Sequence, residues 1–142
     1  MENKKIYFID VVYYNCYAFY RRYEKDLNEF SGQALTSLCL SLNLVTIVIL
    51  IQEIFKLSFF ENKWNTLFVS LPVLLLVIIR YNKYINIEEI EDSLNNKERH
   101  QVKKLHFLSG VYVMISIFGF LFLMIILGEL NNPPPFWSNW FN

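Results

Sequence analysis

Thr36, Cys39, Asn43, Thr46 and Glu53 follow one another at steps of three, four and seven residues inside an otherwise apolar run. On a helix, that spacing draws them along one narrow stripe, with Leu50 between the last two. Groups of these kinds can do two sorts of work in an apolar setting. They can hydrogen-bond across a pair of helices, or they can line a path for an ion. Asn43, near the middle of the run, both donates and accepts, and one such bond contributes about 0.6–2 kcal/mol. Glu53 reads either as a gating carboxylate or as a terminal residue wetted beside Gln52 and Lys56. Its place near the end of the run favours the second reading. Further along, Ser109, Tyr112, Ser116 and Gly119 keep the same steps, and Gly119 is small enough to let another helix approach closely. Two arrangements follow: the stripes meet within one chain, or one of them turns toward another copy.

Other chemistry finds little support. The two cysteines, Cys16 and Cys39, sit in apolar settings without a C-x-x-C pair or zinc-ligand spacing, and read as small apolar side chains. His100 and His106 are six residues apart, on different helix faces, without a surrounding metal motif. The chain has only four glycines and contains no phosphate-cradling loop, no G-x-S-x-G and no H-E-x-x-H. No basic aromatic groove points to nucleic acid. The expectation is a protein that is not an enzyme and takes no cofactor and no metal.

The elements that must carry these residues are helices of a membrane protein. Of 142 residues, 54% are apolar and only 18% charged, less charge than a water-soluble domain of this size carries. A helix needs about 20 mostly apolar residues to cross the hydrocarbon core. Three stretches qualify, at 34–56, 64–81 and 107–128; the second is the shortest and contains Pro72, whose missing hydrogen bond neighbours or Ser70 can replace. The expected fold is therefore all-α: a polytopic helical membrane protein with three transmembrane helices.

Charge placement sets the orientation. Lys4, Lys5, Arg21, Arg22 and Lys25 precede the first span, and Arg80, Lys83, Lys97, Arg99, Lys103 and Lys104 lie between the second and third. Only Lys56 and Lys63 fall between the first two spans, and no Lys or Arg follows the third. That bias places the N-terminus in the cytoplasm and the C-terminus outside. Trp64, Trp137 and Trp140 then anchor the outer interface, and most tyrosines the inner one.

Residues 6–30 read as an amphipathic helix lying in the inner interface. Phe8, Ile9, Val12, Cys16, Phe19, Tyr20 and Tyr23 form one face; Asp10, Tyr14, Arg21, Arg22 and Lys25 form the other, with the cations at the membrane surface. Packing of the apolar face on the protein's own spans is the plainer option. A fourth crossing is disfavoured, because Asp10 at mid-membrane would cost about 2.5–3.5 kcal/mol. No cleaved signal is expected, since Asp10 and Asn15 interrupt the apolar run. Residues 86–106 form a cytoplasmic helical loop, acidic first and basic later, broken at Asn95-Asn96, whose second helix can run straight into the third span. The tail, 129–142, is expected to be extended, because three consecutive prolines cannot continue a helix.

The opening KKIYFIDVVYYNCYAFYRRYEKD, the Leu-Asn-Leu step around Asn43 and the charged loop before the third span resemble uncharacterised small multi-span inner-membrane proteins of Bacteroidota and their phages. That resemblance implies location and topology and no activity. Function then divides two ways. The first expectation is a self-associating membrane protein that forms or gates a pore, in the manner of a phage-defence effector or a holin. The alternative is an accessory or anchoring subunit of a larger complex. The partners implied are membrane lipid and either further copies or a membrane protein, with no nucleic acid.

Overall fold

A computed structural model describes residues 6–23, 28–56 and 64–131. The described chain is helical and contains no strand. Helix α1 spans Phe8–Tyr20, α2 Asn28–Phe55, α3 Trp64–Ile79, α4 Ile87–Asn95 and α5 Arg99–Asn131. Between α3 and α4 the backbone widens into a π turn over Arg80–Tyr84, closed by Ile85 N–H donating to the Arg80 carbonyl at 3.0 Å.

Three of these helices are long and apolar enough to cross a bilayer: Asn28–Phe55, Asn65–Tyr84 and Arg99–Leu127. Their lengths follow from unbroken apolar runs of low turn propensity. Helix α2 ends at Lys56, whose φ of 51° turns the chain out of the helix. Inside α3, Ser70 donates to the Thr66 carbonyl at 2.9 Å, so it does not serve the Phe68 carbonyl that Pro72 leaves without its usual donor. The break after Asn95 separates α4 from α5, and α5 runs without interruption from the charged loop through the third span.

Helix α1 is wedged among the other elements. Four consecutive residues, Asp10, Val11, Val12 and Tyr13, are buried, as is Cys16. At 100° per residue, four in a row face nearly every direction around a helix. Such burial needs neighbours on several sides, which α2, α4, α5 and the π turn supply. The sequence wheel put Asp10 on a polar, outward face; in the structure it is fully buried. Nor does α1 continue to residue 30. It ends at Tyr20, Arg21–Tyr23 form a turn, and Asn28–Phe30 already belong to α2.

Close approach of α1 to α2 depends on Gly32. A Cβ there would meet the Tyr17 backbone at 3.1 Å and the Tyr13 ring at 3.2 Å. The apolar core, Val11, Tyr13, Val77, Tyr81, Ile85, Ile90 and Leu94, fills the space between α1, the lower end of α3 and α4. Buried residues stop at Val45 in α2, begin at Val77 in α3 and stop at Ser116 in α5. Full burial among the described residues is thus confined to the half of the bundle that holds α1.

Candidate functional site

Polar side chains that the sequence scatters over a hundred positions meet in this packed half. Asp10 is the centre of the first cluster. Its two carboxylate oxygens accept Arg80 Nε at 2.9 Å and Nη2 at 2.7 Å, a bidentate pair. Tyr81 adds its hydroxyl at 3.0 Å, and the Tyr7 N–H adds a fourth bond at 2.8 Å that caps α1. The guanidinium also lies 5.2 Å from the Tyr7 ring centroid, within cation–π range. Tyr81 stacks on Tyr13, with ring centroids 3.9 Å apart. A carboxylate can be buried only when its charge is paired and its lone pairs are filled, and here both conditions hold.

These side-chain partners come from consecutive residues of the π turn. Arg80 and Tyr81 reach Asp10, while Asn82 Oδ1 accepts Gln33 Nε2 of α2 at 2.7 Å. One short segment therefore ties α1 and α2 to the end of α3.

A second cluster joins α1 to α5. Asn15 Nδ2 donates to Ser109 Oγ, and Asn15 Oδ1 meets His106 Nδ1. Higher up, Asn43 Nδ2 donates to Tyr112 Oη at 2.8 Å and to Ser116 Oγ at 2.9 Å, linking α2 with α5. Phe8 closes the gap between these levels by meeting the Tyr112 ring edge to face, at 5.8 Å.

The stripe of α2 is divided in its use. Thr36 is buried and bonds back to the Gly32 carbonyl at 2.8 Å; Cys39 is fully buried. Thr46 is half-buried, and Glu53 is exposed near the end of α2. On α5, Ser109 and Ser116 are buried, whereas Gly119 is exposed, with only Ile115 Cγ2 (3.9 Å) near the position a Cβ would take. Arg21 and Arg22 are exposed in the turn after α1. Trp64 is the first residue of α3. Lys25, Trp137 and Trp140 lie outside the described residues, as does the tail from 132 onward.

Burial also affects the thiol and phenol of α1. Desolvation pushes the Cys16 thiol up to about 11 against the opposing pull of Thr36. The Tyr13 phenol is pushed up to about 12 by the same cause, partly offset by its hydrogen bond with Gln33. Both stay protonated at neutral pH. Among the described residues no buried side-chain nitrogen or oxygen lacks a partner, and no group of three His, Cys, Asp and Glu converges as a metal site would require. The clusters hold helices together; each polar group is occupied by another.

Sequence reading did not reach the Asp10–Arg80, Gln33–Asn82 or Asn15–His106 contacts. One signal was present. A carboxylate inside an apolar run and an arginine at the end of a span invite pairing, because each is costly alone. Compared with protein families, curated proteins and solved structures, the chain matches none.

Proposed function

We propose that this chain is a small, non-enzymatic integral membrane protein that self-associates in a bacterial inner membrane, with its N-terminus cytoplasmic and its C-terminus outside. One observation carries the reading: past Val45, before Val77 and past Ser116, no described residue of the three spans is buried. The described residues of the spans are at most half-buried in the half that faces away from α1. There, Met114, Ile115, Phe118, Phe122 and Ile125 surround an open groove at Gly119. Lipid tails supply no hydrophobic drive between helices, so association in a bilayer depends on such close-fitting small-residue contacts. The orientation is supported by the ion pair of Asp10 with Arg80, which holds α1 at the same end of the bundle as the cations that open α5.

The polar stripe bears on the pore reading. Asn43, its strongest member, bonds within the chain, so a water path along that stripe would have to break the link between α2 and α5. Packing between copies through the Gly119 groove needs no such rupture.

Crosslinking in native membranes tests the proposal. Phe122→Cys should form a disulfide between copies on mild oxidation, and adding Gly119→Leu should suppress it. A chain that remains strictly monomeric in both backgrounds would refute self-association. Dye release from vesicles carrying the wild-type protein would favour conduction over packing alone.

A further inference from the structure

Because α5 is a single helix from Arg99 to Asn131, its charged first turns are held rigidly on the segment that crosses the bilayer. At 100° per residue, Arg99, Lys103 and Phe107 fall within about 80° of arc, with His100 and Lys104 beside them. All five are exposed. Other directions around the same turns are in use: Leu105 packs against the apolar core, His106 meets Asn15, and Ser109 is buried. The basic face therefore points away from the body of the protein.

Helix continuity also fixes its depth. At 1.5 Å per residue, Lys104 and Lys103 stand about 4.5 and 6 Å before Phe107, and Arg99 about 12 Å. The headgroup layer is about 5–7 Å thick on each side of the hydrocarbon. With the exposed Phe107 and Leu108 at the apolar boundary, both lysines lie at the level of lipid phosphates. Two turns in from Lys103 on the same face is Gly110, and nothing lies within 4 Å of the place a Cβ would take. The bare backbone leaves a shallow track along which an acyl chain can lie. Glu98 is the only acid between Lys97 and His106. Among the described residues, Arg99, Lys103 and Lys104 make no ion pair, with the carboxylates of α4 or any other.

We propose that the first turns of α5 bind an anionic phospholipid, with Lys103 and Lys104 holding its headgroup and an acyl chain running over Gly110. An anionic head is favoured over a zwitterionic one because the latter brings an ammonium group up to both lysines. The inference rests on α5 crossing a bilayer, and does not depend on self-association.

Native mass spectrometry of the full-length protein, released from mixed micelles of equimolar phosphatidylglycerol and phosphatidylcholine, tests it. The wild type should retain phosphatidylglycerol in preference by on the order of 25-fold, since each of the two lysines near an anionic surface contributes about fivefold. Lys103→Gln with Lys104→Gln should bring the two lipids close to parity. Gly110→Leu, which keeps every charge, should lower phosphatidylglycerol retention by obstructing the acyl track. Equal retention by the wild type, or an unchanged preference in the double variant, would overturn the proposal. Carbonate extraction of the native membranes separates the two ideas. A chain released into the supernatant would refute the crossing itself, whereas one that stays behind without lipid preference would refute only the lipid site.

Discussion

Replacing Asp10 with Ala should release α1 from the bundle. The side chain is fully buried and accepts four hydrogen bonds, two of them from Arg80. Removing one partner of a buried ion pair costs about 3–5 kcal/mol, largely because a charge is left uncompensated. Two features of the site reduce that figure. The Arg80 side chain is 32% exposed, so its guanidinium can turn toward headgroups and water. Tyr81 retains the Ile9 carbonyl as an acceptor at 3.3 Å. Against this, the Tyr7 N–H loses its cap, a loss of about 1 kcal/mol. The expected destabilisation is about 2–4 kcal/mol. Asp10→Asn keeps an acceptor for Tyr81 and should cost about half as much. The pair can be isolated by a double-mutant cycle, because Asp10→Leu combined with Arg80→Met removes both charges together. That double variant should be more stable than Asp10→Leu alone. Unfolding in mild detergent reads the stability, and maleimide labelling of Cys16, on the buried side of α1, reads undocking. Strictly additive single effects, together with Cys16 labelling that stays at the wild-type rate in Asp10→Ala, would refute the latch.

Other perturbations have separate readouts. Gly32→Val should lower the unfolding midpoint by an amount equivalent to about 1–3 kcal/mol, because its side chain enters the space of the Tyr17 backbone. Asn43→Leu should cost about 0.6–2 kcal/mol in the same assay while leaving crosslinking through Phe122→Cys intact, since its bonds lie within one chain. Wild-type Cys16 should resist alkylation at pH 7 and react only as pH climbs toward about 11. The sign for stability follows from the raised value. The unfolded thiol ionises near 9 and the folded one near 11, so its contribution is complete below pH 9 and is lost as pH rises between these values.

The long apolar helices were legible because composition alone decides them: about 20 apolar residues in a row have few alternatives to a membrane-crossing helix. The break at Asn95 and the run of the loop into α5 were legible from turn residues and apolar spacing. Helix α1 was not. A helical wheel assumes one wet side and one dry side, and α1 has neighbours nearly all round. The wheel therefore sorted Asp10 with Arg21 and Arg22 by polarity, when burial separates them. The π turn leaves no sequence signature, yet it carries Arg80 and Tyr81 to α1 and Asn82 to α2. Asn43 illustrates the opposite case. An isolated amide in the middle of a span has to find a partner, and hydroxyls at matching spacing on α5 restrict the choices.

The link from Asp10 to Arg80 joins residues 70 positions apart. A ribosome adds about 5–20 residues per second, so the arginine is made about 4–14 s after the aspartate. Until then the nascent N-terminal helix lacks the cation that pairs with its carboxylate in the fold. The contact that seats α1 can form only once the end of α3 has been made, so the first helix synthesised is not the first that can be seated.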